Sequence, residues 1–146
     1  MASWKEFAQQ APELAEFGKA RFQSGVAYLG TVRADGSPRV HPVTPIIGEQ
    51  LFLFMEPTSP KGKDLQRDAR YTLHCSVKDS NGGDGEFYVR GRAILTDDPL
   101  VRAQATQASS YRPQPHYIVF VFTIEFTFRN IYLDGMTSVQ RWQSPQ

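Results

Sequence analysis

Between Ile118 and Arg129 the sequence alternates with a period of two. Ile118, Phe120, Phe122, Ile124, Phe126 and Phe128 fall on one face, and Thr123, Glu125, Thr127 and Arg129 on the other. Successive side chains of an extended backbone point to opposite faces, so this segment is predicted to be a long strand with its aromatic face in a core. Such a strand needs a sheet around it. Runs at 26–32, 39–47, 50–55, 71–77 and 86–96 share its β-rich character,. Turn chemistry separates the first of them, at Ala34-Asp35-Gly36-Ser37-Pro38 and at Gly48-Glu49,. Six strands in hairpin order with short helices between them favour a closed or nearly closed antiparallel barrel, because closure removes exposed edges. Pro42 and Pro45 cannot donate ladder hydrogen bonds, so the 39–47 strand must be an edge or be bulged,.

The helices are short and signalled by their caps. Ser3 and Glu6 have the spacing of a capping box, and Trp4, Phe7, Ala8 and Ala11 then share a helical face,. Pro12 suits the first turn of a second piece in which Leu14, Phe17 and Arg21 align, and Gly25 ends it,. Residues 1–24 therefore read as a helical lid packed on the sheet. Asp98 and Pro99 open a later helix by capping, with Leu100, Ala103 and Ala108 on its apolar side,. Without repeats or a linker, residues 1–146 read as one domain.

Sixteen Lys and Arg against fifteen Asp and Glu leave a formal charge of +1, which argues against a nucleic-acid or anionic-membrane partner,. Any anion site must be local. One cysteine, Cys75, rules out an internal disulfide and a cysteine metal cluster, and its strand-like surroundings suggest a buried thiol,. His74 and His116 lack metal-ligand spacing, so no metal site is expected. No segment has the layout of a secretory signal, and the longest apolar stretch, 117–122, is too short to span a bilayer, so a soluble cytoplasmic protein is expected,.

The strongest local feature runs from Ser59 to Lys63. Ser59 as N-cap and Pro60 as first helical residue would leave backbone N–H groups free beside Lys61 and Lys63, which is a cradle for phosphate,. Arg39 could reach the same anion if the barrel brings the two segments together. The competing interpretation makes Lys61 and Lys63 solvated charges beside Asp64 and Asp68,. His41, in an extended segment, is more readily a structural group than a base. No nucleophile or metalloprotease motif is present, a shortage that suits a protein whose chemistry belongs to a bound cofactor.

The order of these motifs resembles a known family. Tyr28-Leu-Gly-Thr-Val32 with Asp35-Gly-Ser-Pro-Arg39-Val-His-Pro-Val43, then Ser59-Pro-Lys-Gly-Lys-Asp-Leu65, Arg70-Tyr-Thr-Leu73 and Phe87-Tyr-Val-Arg-Gly-Arg-Ala93, is similar to the pyridoxamine 5′-phosphate oxidase-like FMN-binding split β-barrels over residues 24–142. The resemblance implies a mainly β, six-stranded antiparallel split barrel with short flanking helices, working as a homodimer with FMN between subunits. Arg39, Lys61 and Lys63, helped by Ser59, would hold the phosphate. His41, Pro42, Val43 and Thr44 would run along the isoalloxazine ring, and Trp142 would lie near the cofactor, often from the other subunit. The implied activity is an FMN-dependent oxidoreductase acting on a small unidentified substrate. The chain is shorter than the true oxidases and lacks a recognisable version of their C-terminal substrate segment, so pyridoxamine phosphate itself does not follow. The deazaflavin F420 is the alternative cofactor, haem-handling split barrels form a third branch, and a flavin-binding carrier or sensor without turnover is the alternative role.

Overall fold

The computed structural model describes residues 1–145. In chain order the elements are α1 (Trp4–Gln10), α2 (Pro12–Gln23), β1 (Ala27–Val32), β2 (Pro38–Val43), β3 (Ile46–Ile47), β4 (Leu51–Met55), α3 (Pro60–Arg67), β5 (Arg70–Cys75), β6 (Glu86–Thr96), α4 (Pro99–Ala108), β7 (Ile118–Leu133) and β8 (Met136–Gln143). All strand pairs are antiparallel, in the order β2-β1-β5-β6-β7-β4-β3, with β8 added along the second half of β7. β2 and β3 stand at opposite ends of this path, yet only Thr44 and Pro45 separate them in sequence. The sheet must curl until its ends meet, and no ladder joins them there. That is a split barrel.

Eight strands replace the six expected, for two reasons. Residues 39–47 break at Thr44-Pro45 into β2 and β3, and β2 is a terminal strand, as Pro42 requires,. β8 is almost wholly exposed and carries no hydrophobic alternation. Backbone pairing with β7 holds it, across a turn in which Asp134 and Gly135 both have positive φ, 52° and 76°,.

The long strand is central, but its faces exchange halfway. The register between β6 and β7 shifts at Arg90/Gly91, where Glu125 is left without a partner. Before this bulge Phe120, Phe122 and Ile124 point into the barrel; after it Thr127 faces inward, fully buried, opposite Val89,. Phe126 and Phe128, expected in the core, instead lie on the outer face opposite Arg90 and Tyr88.

The barrel interior is filled by Leu29, Leu53, Leu73, Phe87, Val89, Phe120 and Phe122 and is covered by Trp4, Phe7, Leu14 and Phe22 of α1 and α2. The Ser3–Glu6 capping box starts α1 as expected, and Cys75 is buried. A second cluster lies outside the barrel, where α4 covers Ile46, Phe52, Phe54, Val119 and Val121. Asp98 caps α4 through the Leu100 N–H, but the apolar face is not the expected one. Leu100 is 74% exposed, and Val101 and Ala105 make the contact. β4 is buried on both faces because it lies between the two clusters.

Gly91 sits at the bulge with the Thr123 carbonyl oxygen 2.1 Å from where a Cβ would be. Gly91→Ala therefore has to displace backbone, and chemical denaturation is expected to show a loss of about 3 kcal/mol.

Candidate functional site

The site is built where α3 meets the open end of the sheet. Lys63 N–H donates to the Ser59 carbonyl as the first bond of the α3 ladder. Pro60 has no N–H and the Ser59 side chain does not cap, so the Lys61 and Gly62 amides lie outside the helix's own bonds,. Ser59 is nevertheless buried, and its Oγ accepts from Lys61 Nζ at 3.0 Å. Lys61 is half-buried, and among the described residues it makes no ion pair. Burial pushes its ammonium below the ordinary lysine range,.

Asp64, one turn along α3, is 3% exposed. Its Oδ2 accepts from Arg39 Nε at 2.7 Å and from Thr31 Oγ1 at 2.8 Å, and its Oδ1 from Arg67 Nη2 at 3.0 Å. Burial raises this carboxyl, but the bonds from Arg39, Thr31 and Arg67 outweigh it and hold the group below the usual carboxylate range,. Asp68 is taken by Arg70, which holds its carboxyl at about 2. Neither acid pairs with Lys61 or Lys63; Lys63 is the solvated surface charge of the competing interpretation, whereas Lys61 is half-buried.

His41 is exposed on β2, and its imidazole is depressed by partial burial and by the nearby Lys61 and Arg39 cations. Arg39, His41, Ser59 and Lys61 thus share one corner. Pro42, Val43 and Thr44 line an open cavity of about 340 Å³ together with Lys61, Tyr111 and Tyr117. The Glu56 carboxylate, also on its wall, accepts from His116 Nε2 at 2.9 Å. Lys63 is exposed and turns to the other side of the α3 start, into a groove of about 450 Å³ shared with Arg39, Arg33 and Arg67.

Trp142 is not in this corner of its own chain. Its Nε1 donates to Gln10 Oε1 at 3.2 Å and its ring packs 5.0 Å from Phe7. Sequence reasoning missed Asp64 as the clamp, although Asp64 and Arg67 have helical i, i+3 spacing,. It also missed Tyr111 and Tyr117, whose approach to the 42–44 segment is purely tertiary.

No family model and no curated protein matches this sequence. Solved structures do. The split β-barrel class that the sheet defines is shared with a haem-binding protein from Mycobacterium smegmatis, at TM-score 0.63 and 18% identity over 85% of this chain and 57% of that one. A NimC/NimA family protein from Clostridium acetobutylicum superposes with TM-score 0.64 and 17% identity over 88% of this chain and 92% of its own. A protein from Listeria innocua provisionally named a pyridoxamine 5′-phosphate oxidase gives 0.61 and 15%, over 77% and 94%. This chain spans little more than half of the mycobacterial protein, and at these identities the likeness is one of fold. Among the described residues no helix is long and apolar enough to cross a membrane.

The Asp64 clamp has a pH signature. Its folded-state carboxyl lies below the unfolded value of about 4, so its stabilisation is complete above that pH and is lost as pH falls through the folded value,. Denaturation from pH 7 to pH 2 is expected to show wild type about 2 kcal/mol more stable than Asp64→Asn at pH 7, the gap closing below about pH 4.

Proposed function

We propose that this chain is an FMN-dependent oxidoreductase that works as a homodimer on a small substrate. The observation that carries the reading is Lys61, a half-buried ammonium whose partner is a hydroxyl rather than a carboxylate, set against the start of a helix. A desolvated cation beside free backbone N–H groups suits a phosphate.

The residues present fit a flavin mononucleotide. Lys61, the amides of Lys61 and Gly62, Ser59 and the terminal nitrogens of Arg39 would hold its phosphate, since Asp64 engages Arg39 through Nε. The ring would lie in the cavity along Pro42, Val43 and Thr44, where β2 is a terminal strand and Thr44 and Pro45 are outside the ladder. Backbone groups there can bond the ring's polar edge, and Tyr111 and Tyr117 would pack beside it. When bound, the flavin supplies the hydride chemistry. His41, whose imidazole is pushed down by partial burial and by the Lys61 and Arg39 cations, can offer a hydrogen bond beside the cofactor. F420 could use the same donors.

The dimer reading rests on the outer face. Tyr28, His74, Tyr88, Phe128 and Arg141 form one cross-strand row over five strands. His74 stacks 6.1 Å from Tyr88, Tyr88 stacks 5.1 Å from Phe128, and Arg141 lies over Phe128. Beside this ridge runs a groove of about 470 Å³ with Gly30 and Thr72 on its floor. A two-fold dimer buries the same patch on both copies, and this ridge is the face a second copy would cover. Trp142 would then meet the partner's cofactor only at the edge of this face.

Flavin fluorescence titration is expected to show FMN binding weakened by about 3 kcal/mol in the Arg39→Ala, Lys61→Ala double variant; unchanged affinity would remove the assignment. Anaerobic NADH or NADPH should bleach the bound flavin, whereas a carrier would keep its oxidised spectrum. Freshly purified protein with a haem spectrum would overturn the flavin reading. Tyr88→Glu should convert the dimer to monomer in light scattering.

A further inference from the structure

We infer that the Glu56–His116 pair is the acid–base group of the cavity beside residues 42–44, supplying the proton to a substrate reduced there. This role rests on the flavin reading above and uses a wall of the cavity which that reading leaves idle. Glu56 follows the end of β4 and lines the cavity with Thr44, Lys61, Tyr111 and Tyr117. Its backbone carbonyl accepts from the Ser59 N–H at 3.0 Å, which fixes it against the start of α3. Its two carboxylate oxygens lie 3.0 and 2.9 Å from His116 Nε2.

The fold does not need this pair to hold the loop before β7. Arg102 of α4 already ties residues 114–117 down, since its guanidinium donates to the carbonyls of Gln114, Pro115 and Tyr117 and lies 5.2 Å over the Phe54 ring. His116 packs edge-on to Tyr117 at 5.1 Å. The side chains of His116 and Glu56 are 57% and 52% exposed, and an ion pair so open adds little stability,. Its distinction is its position: Glu56 fronts the cavity, and His116 behind it meets water.

The other described side chains on this wall suit a proton transfer near neutrality less well. Thr44 is an alcohol. Tyr111 and Tyr117 are phenols, a class that ionises near about pH 10, and burial pushes Tyr111 higher still. Lys61 bonds Ser59 Oγ and is assigned to the phosphate. The cations adjoining the pair are Lys61 and Arg102, which binds carbonyls on both sides of His116, and neither forms an ion pair with Glu56. Imidazole, by contrast, is the side chain that changes charge between about pH 5 and pH 8.

A bound flavin supplies hydride, so the balancing proton must come from the chain or from water. For a small acceptor with a polar double bond, the new C–H bond forms at one end and the π pair moves to the other. That pair takes the proton of the Glu56 carboxyl. Glu56 in turn takes the Nε2 proton of the His116 imidazolium, and the imidazole reloads from solvent. The acceptor gains two electrons and two hydrogens, the electrons drawn from the NADH or NADPH that reduces the site and one hydrogen from water.

The midpoint potential of the full chain loaded with FMN is measured anaerobically between about pH 5 and pH 8, against dyes of known potential. A proton taken up by the pair on reduction steepens the fall of potential with pH by one proton per two electrons, about 30 mV per pH unit. Glu56→Gln should lose that added slope. His116→Gln should lose it too, because a lone carboxyl ordinarily titrates near about pH 4. Both variants should keep FMN affinity within about twofold of wild type, since an open pair away from the phosphate corner contributes little to binding; circular dichroism checks that they fold. A wild-type slope in both variants overturns the inference and leaves the FMN reading standing. Loss of flavin from Glu56→Gln overturns it as well, by making Glu56 a residue that holds the ligand. Failure of wild type to bind FMN overturns the flavin reading itself and this inference with it.

Discussion

The carboxylate of Asp64 ties three elements together at a single buried point. It projects from α3 and accepts from Thr31 on β1, from Arg39 on β2 and from Arg67 on its own helix. Taking a carboxylate out of water costs several kcal/mol, and only donors that fill its lone pairs offset that. The geometry is consequently fixed: α3 cannot shift without orphaning the charge, and Arg39 cannot swing away. Because Arg39, Thr31 and Arg67 fill the lone pairs of Asp64, that carboxylate forms no ion pair with Lys61.

The second constraint is topological. Strands at opposite ends of the sheet are consecutive in the chain, so the barrel closes in space without closing its hydrogen-bond ladder. The unpaired backbone at the split is where a ligand can find donors and acceptors that elsewhere are used by neighbouring strands. Pro42 and Pro45 keep that edge from pairing with another strand. The Arg39 corner and the slot beside 42–44 are adjacent because β2 carries both Arg39 and the start of the split.

The bulge at Glu125 has a comparable reach. By exchanging the faces of β7 it moves Phe126 and Phe128 out of the core and lines them up with Tyr88, His74 and Tyr28. Gly91 permits it, since any side chain there would collide with the Thr123 carbonyl. One irregular residue thus separates a strand that builds the core from a strand that builds an exposed aromatic face.

The amino-acid order alone determined much of this. The alternation at 118–129, the hairpin turns, the capping box at Ser3 and the proline-marked edge each have a local physical cause, and the strands, helices and mainly β class followed from them. The Ser59–Lys63 turn was legible for the same reason, since helix-start chemistry is written in neighbouring residues. What tertiary structure decided is everything that depends on which distant groups meet. Asp64 became a clamp rather than a counterion for Lys61 because Thr31 and Arg39 arrive from other strands. Lys61 and Lys63 parted into separate hollows because side chains two positions apart on a helix leave it in nearly opposite directions,. The bulge and β8 stayed hidden, because a register shift is set by a partner strand and an exposed strand held by backbone bonds leaves no hydrophobic pattern to read,.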